Sequence, residues 1–359
     1  MKILDWYIIK KYLSTFSVML LLFVPIGIMV DISENIDKML ASEAPAGAIV
    51  VYYVDFVIYF ANLLFPIFLF LSVIWFTSKM ANDTEIIAIL SSGVSYMRFL
   101  RPFLVAASIV AIVAFVAGMY IVPNSSKGFN EFRFEYIKKG RKQVRDNAQI
   151  YKQVSDNDFV YLKGFNFNDK RGDNFTLEHF EDNILKYKIQ ARSITYNEED
   201  STYTLRSFKK RIIGTMNDSI LSERRFDTIF PFEVEDLTPV TYMAETLNYQ
   251  ELNKFIQKER QAGSPNVSKH LLVKYKRWSL PITAFILTII AVAVSSMKRR
   301  GGMGVNLAFG ISIAFIYIFF DKIFGTMAEK SGFSPMLAVW VPNIVFGILA
   351  IYLLYNARR

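Results

Sequence analysis

The chain is predicted to be an α-helical integral membrane protein with six transmembrane helices and one aqueous, all-β, jelly-roll-like domain between the third and the fourth. Three observations carry that expectation. Six apolar runs are long enough to cross a bilayer, and a polar stretch at residues 124–270 alternates at strand period. The composition, 53% hydrophobic and 15% aromatic yet 20% charged, suits a chain that is partly in lipid and partly in water.

A hydrocarbon core about 30 Å thick takes roughly 20 helical residues at about 1.5 Å each. Runs of that order lie at residues 12–30, 54–77, 102–122, 279–297, 304–324 and 335–355. The first, "YLSTFSVMLLLFVPIGIMV", is too long for a secretory signal and lacks a small-residue cleavage site, so it reads as a retained span. Trp6, Trp75, Trp278 and Trp340 fall at or near span ends, where an amphipathic ring prefers to sit. Pro25, Pro66, Pro281 and Pro342 are placed to bend or end helices.

Orientation follows from the basic flanks. With the N-terminus in the cytoplasm, the inner flanks hold Lys2, Lys10, Lys11, Lys79, Arg98, Arg101, Lys298, Arg299, Arg300, Arg358 and Arg359; the short outer loops hold only Lys38 and Lys330. Both termini are therefore expected to be cytoplasmic and residues 124–270 to face outward. That middle stretch carries 24 basic and 22 acidic side chains, so most of the net +9 sits at span ends. The excess is topological, with anionic lipid and not nucleic acid as its counterpart.

The outer stretch opens with the polar "NSSKGFNEFRFEYIKKGRKQVRDN", which suits a helical stalk. From Gln149 the segments "QIYKQV", "DFVYLKGFNF", "NFTLEHF", "ILKYKIQARSITYN", "STYTLRSFKKRIIG" and "RRFDTIFPF" alternate polar with aromatic and branched residues; "NDKRGDN", "EDN" and "NEED" punctuate them. Short strands in one aqueous domain predict an antiparallel sandwich or open jelly roll, whose edge or mouth could pair with another sheet or admit an acyl chain. Leu247, Leu252, Phe255 and Ile256 then predict a helix stopped by Gly263 and Pro265. The basic, aromatic "KHLLVKYKRWSLP" suits an interfacial elbow leading into the fourth span.

Between the second and third spans lies "NDTEIIAILSSGVSYMRFLRP", residues 82–102. Asn82 is placed to cap a short helix with Glu85 near its start, and Gly93 to end it in the left-handed conformation. Ile86, Ile89, Leu90 and Gly93 share a stripe that Ile87 widens. Such a helix can lie on the inner membrane surface and offer apolar side chains and a carboxylate to a partner. Equally, the stripe can rest on lipid or on neighbouring spans.

This loop resembles that of the LptF/LptG (YjgP/YjgQ) permease family, in which an acid-containing pair, a few aliphatics and a small-residue glycine turn lead into the third span. The resemblance extends along the chain: "LDWYIIKKYLSTF" at the front, "FPIFLFLSVIWFTSKMANDTE" in the second span, and "VKYKRWSLPITAFILTIIAVAVSS", "RRGGMGVNLAFGI" and "SPMLAVWVPNIVFGILAIYLL" at the back. The stretch "IMVDISENIDKM" favours the LptG-like subunit.

The resemblance implies a permease subunit of an ATP-driven lipopolysaccharide exporter in the inner membrane of a Gram-negative bacterium, with a periplasmic jelly-roll-like domain. Its domains would be a first transmembrane half, residues 1–123, the periplasmic part, 124–270, and a second half, 271–359. The implied partners are a second permease of the family, a cytoplasmic ATPase dimer, a single-span jelly-roll protein with its periplasmic bridge, and lipopolysaccharide. The helix at about residues 83–92 would couple to the ATPase: Glu85 through a basic residue there, with Ile86, Ile87 and Leu90 filling a groove beside Ser91 and Gly93.

The residues agree with that division of labour. No G-x-x-x-x-G-K-[ST] loop is present, so this chain is expected to carry no cofactor, ATP being bound by the partner subunit. Cysteine is absent, and His179 and His270 lie far apart, so neither a thiol nucleophile nor a metal site is expected. "SSMK" at residues 295–298 has Ser-x-x-Lys spacing, but topology explains Lys298.

By the same resemblance, Lys38 and Lys322 near outer span ends are candidates for substrate phosphates, although snorkelling to lipid headgroups explains them equally well. Several acids follow the first span where better-known members carry bases, which leaves room for bridging divalent cations. Phe65, Phe68 and Phe70 in the second span, and Phe315, Phe319 and Phe324 in the fifth, are candidates to meet acyl chains or simply to pack. Two alternatives remain: a permease for another lipid or polysaccharide, and a receptor with a ligand-binding outer domain.

Overall fold

The structure, a computed structural model, describes residues 3–137, 150–166, 171–197, 200–214, 216–230, 232, 243–261, 263–264, 266–296 and 302–357. The chain divides into two compact units: Met1–Phe132, Glu245–Tyr249 and Ser268–Arg359 form one, Arg133–Ala244 and Gln250–Val267 the other.

Six helices in the first unit are long and apolar enough to cross a membrane. They begin with α1 (Ile3–Ala41) and α2 (Ala46–Asn82), joined by a tight turn through Glu43 and Pro45. After the short α3 (Glu85–Ser91), α4 (Tyr96–Val116) runs through a wide π turn at Ala117–Ile121 into α5 (Val122–Phe132) and a second π turn at Arg133–Ile137. Pro123 has no N–H to give one turn back, and the widened turn just before it absorbs that loss. The expected stalk is thus helical as far as Ile137; its remainder lies outside the described residues.

After the sheet come α6 (Met243–Thr246), α7 (Tyr249–Gln261) with Gly263 at φ +66° as its stop, α8 (Val267–Ser295), α9 (Gly302–Lys330) and α10 (Pro335–Ala357). The first two helices outrun the apolar windows by more than two turns, because hydropathy marks only the lipid-soluble part of a helix whose propensity continues into water. The expected elbow before Pro281 is absent: residues 267–280 contain no helix breaker, and α8 runs through. Lys298, Arg299 and Arg300 lie outside the described residues.

Large apolar side chains from α1, α2, α4, α8, α9 and α10, with Ile86 of α3, form the main core of this unit. Polar pairs lock it: Tyr12 to Thr288 at 2.8 Å, Tyr96 to Ser296 at 3.0 Å, and Thr283 to Asn343 at 2.8 Å. Gly310 lets α9 close on Ile74 of α2, where a Cβ would collide. A second aromatic cluster stacks Tyr52 and Tyr59 of α2 on Phe129 and Phe132 of α5.

In the second unit, β1 (Ile150–Gln153), β2 (Asp158–Leu162), β3 (Gly164–Asn166), β4 (Arg171–Glu181), β5 (Ile184–Asn197), β6 (Thr202–Ile212) and β7 (Ser219–Thr228) form one antiparallel sheet. Its order is β1-β2-β4-β5-β6-β7, with β3 paired to β4. Each expected strand segment overlaps one or two of these. The sheet answers the expectation of an all-β domain, but not its jelly-roll closure: among the described residues no strand crosses to a second sheet, since short turns keep sequence neighbours adjacent. The turn expected at "NDKRGDN" is shorter, because β4 already starts at Arg171; residues 167–170 lie outside the described set.

A bend shapes this sheet. Buried non-polar positions step by three residues from Gly172 to Phe175 on β4, from Ala191 to Ile194 on β5, where Ser193 is buried as well, and from Leu205 to Phe208 on β6. Pairing of Phe175 with Ala191, and of Ile194 with Gly172 and Leu205, puts the steps side by side. Asn174 and Ser207 take left-handed φ angles of 52° and 57° there. The shared step keeps the apolar face continuous across a fold line, as bulges do at sheet corners.

Candidate functional site

Helix α2 ends at Asn82, and a two-residue turn of Asp83 and Thr84 leads directly into α3. Asn82 is therefore not a cap, because a capping residue needs an extended backbone and Asn82 is still helical. Glu85 is the first residue of α3, so no side chain three positions ahead of it caps the helix; Thr84 before it stands at φ 61° and makes no capping bond. The other end is as expected, with Gly93 at φ 85°. Ser95 then caps α4 by accepting from the Arg98 amide at 3.3 Å.

The bonds that hold α3 come from α1. Tyr7 Oη donates to Glu85 Oε2 at 2.9 Å, and Lys11 Nζ lies 3.6 Å from Oε1. Two residues before Tyr7 on α1, the buried Asp5 accepts from Arg98 of α4 at 2.8 Å. Ile86 is 1% exposed inside the main core, with Ile89 and Leu90 packed against that core, whereas Ile87 is 53% exposed. Ile86 thus faces the bundle and is unavailable to a partner, and Leu90 only partly available. The outward stripe is Thr84, Ile87, Ala88 and Ser91.

The candidates near the other span ends separate into two settings. Lys38 donates to Asn35 at 3.0 Å, Asn35 to Asp31 at 3.0 Å, and Tyr52 to the other Asp31 oxygen at 2.9 Å. Lys322 instead lines an open groove with Phe319, Ile323, Thr326, Met327 and Lys330, next to the Lys276–Asp321 ion pair at 2.7 Å. Phe315 and Phe319 are 66% and 62% exposed. Phe65 and Phe68, by contrast, are buried, against Phe16 at 5.9 Å and Phe23 at 5.3 Å, and Phe70 is fully enclosed. Those three are packing residues, Phe65 and Phe68 against α1 and Phe70, on another side of α2, inside the main core; of these candidates only the α9 pair is free to meet lipid.

The family model described as "Lipopolysaccharide export system permease LptF/LptG" matches residues 6–356. The chain belongs to the LptF/LptG family. Two relatives, each the lipopolysaccharide export system permease protein LptG, one from Escherichia coli K12 and one from a strain of serotype O6:H1, are 18% identical over 358 residues, 98% of either chain. Both being LptG agrees with the lean taken from "IMVDISENIDKM".

Within this LptF/LptG chain, Tyr7 and Lys11 were not legible as partners of Glu85, since only folding brings residues 78 positions apart into contact. Asn343 carried a signal in sequence, an amide inside an apolar span. It accepts from Thr283 at 2.8 Å and donates to the Val339 carbonyl at 2.9 Å, tying α8 to α10.

Proposed function

We propose that this chain is one of two permease subunits of an ATP-driven exporter that lifts lipopolysaccharide out of the inner membrane and hands it to a periplasmic β-domain bridge. Its termini and α3 face the cytoplasm and its sheet the periplasm, as the basic span flanks favour. ATP is bound and hydrolysed by a separate ATPase dimer; a second permease and a single-span jelly-roll protein complete the assembly.

The observation that carries the reading is the division of α3 into two faces. Ile86 and the Tyr7–Glu85 bond anchor the helix to the bundle, while Ile87, Ala88 and Ser91 look outward. A helix so anchored transmits a rigid displacement to α1 and α4, which a mobile loop would dissipate. The coupling contact is therefore Ile87 with Ala88 and Ser91, and Glu85 acts by positioning the helix.

The lipid side is supported by α1 and α9, whose apolar windows are only 6% and 17% buried. Their open faces suit lipid or the second permease. On α9, Phe315, Phe319 and Lys322 follow at helical spacing, two exposed rings and then a cation, an order that matches acyl chain and phosphate. The test is reconstitution with the ATPase and lipopolysaccharide in proteoliposomes. ATP-dependent release that Ile87→Asp abolishes supports the reading; release of another glycolipid but not lipopolysaccharide would shift the substrate, and no ATPase association would overturn it.

A further inference from the structure

The solvent face of the bent sheet carries more cations than its acids can pair. Opposite the apolar face, Lys188 is 2.8 Å from Glu178, Arg171 3.5 Å from Asp173 and Arg225 3.1 Å from Asp227, while Arg211 is bonded to Asp218. Those pairs take up the carboxylates of that face. Arg192, Arg206, Lys209 and Arg224, all exposed, have no carboxylate partner among the described residues.

The register gathers these cations. Thr176, Gln190, Lys209 and Ser222 form one cross-strand row, and Asp173, Ser193, Arg206 and Arg225 form another, the Asp173 carboxylate being taken up by Arg171. Arg206 thus stands directly opposite Arg225, a like-charge pairing that weakens a sheet and that sheet stability does not explain. Arg192 falls inside the step between Ala191 and Ile194, and Arg224 between the positions paired with Phe208 and Leu205, so the bend turns both out as exposed side chains beside these rows. With strands about 4.8 Å apart, the basic rows extend over roughly 10 Å of β5, β6 and β7.

We infer that this face binds the phosphate- or carboxylate-bearing saccharide of a glycolipid. Three of the four unpaired cations are arginines, whose planar forks bind phosphate and carboxylate through paired hydrogen bonds. Their neighbours Thr176, Gln190 and Ser222 offer hydroxyl and amide groups suited to sugar and water, where a surface meant for bilayer insertion would offer apolar ones. The inference rests on the proposed cargo and deepens it: acyl chains and anionic sugars are held by different parts of the chain.

The test uses the full chain in nanodiscs of neutral lipid and, as probe, phosphorylated core oligosaccharide freed of its acyl chains. Wild type should bind it in a salt-sensitive manner, and enzymatic dephosphorylation should weaken binding. The variant R192Q/R206Q/K209Q/R224Q should lose about tenfold or more in affinity. The control K163Q/K186Q, elsewhere on the sheet, should keep it, and both should show unchanged amide exchange in β4 and β5. Equal binding by variant and wild type, no binding by wild type, or equal competition by polyglutamate, which would mark an acidic protein's surface, each overturns the inference. Oligosaccharide binding that survives while reconstituted lipopolysaccharide release fails would retain this site and remove the exporter reading.

Discussion

Tyr7 Oη reaches Glu85 Oε2 at 2.9 Å, so the first turns of α1 and the first residue of α3 move together. Lys11 adds charge to that contact at 3.6 Å, with both side chains about one-third exposed. Such partly exposed contacts stabilise by only about 0.5–1 kcal/mol. A double-mutant cycle of Tyr7→Phe and Glu85→Gln should show a coupling of that size in thermal unfolding but a larger loss in ATPase stimulation by substrate. Additive effects on stimulation would mean that Glu85 does not act through α1.

Adjacent isoleucines on α3 should behave oppositely. Ile86→Ala removes a core side chain and should cost about 2–5 kcal/mol, seen as a lower melting temperature in detergent. Ile87→Asp should leave melting unchanged while removing the ATPase from the purified complex. If Ile87→Asp melts like Ile86→Ala, the outward face of α3 has been misassigned.

Lys152 of β1 and Glu259 of α7 meet at 3.0 Å with side chains only 7% and 1% exposed. Removing one partner strands a buried charge, so Glu259→Gln or Lys152→Met alone should cost about 3–5 kcal/mol; Lys152→Met with Glu259→Leu should recover most of it. Amide exchange in β1 and α7 reports the outcome. A double variant as weak as either single one would show that the pair is worth more than its burial costs.

Acid should loosen the β6–β7 hairpin first. Arg211 and the Gly214 amide hold the Asp218 carboxyl below the usual carboxylate range, and Thr204 with Arg225 does the same for Asp227. A depressed carboxyl contributes stability that is full above its unfolded value near 4 and lost as pH falls through the lower folded value. Amide protection in β7 should therefore hold from neutral pH to about 5 and decline below about 4, and Asp218→Asn should blunt that decline. Loss between pH 7 and 5 would point to a different group.

Six apolar helices, the β-domain's place in the chain, its strands and the small helix before the third long apolar run are all determined by the sequence itself. These features depend on local quantities, apolar run length and side-chain period, that a chain carries before it folds. Tertiary structure alone decided which residues do what within them. Ile86 and Ile87 are identical side chains one position apart, yet neighbouring helices enclose one and leave the other in the open. Phe68 and Phe319 look alike in their spans until α1 covers the first and nothing described covers the second. The bend in the sheet needed three strands to step together, and the surplus of arginines on its outer face emerges only when the register shows which acids are already paired. Partners distant in sequence have no local signature, because the contact energy that selects them exists only once the chain has brought them together.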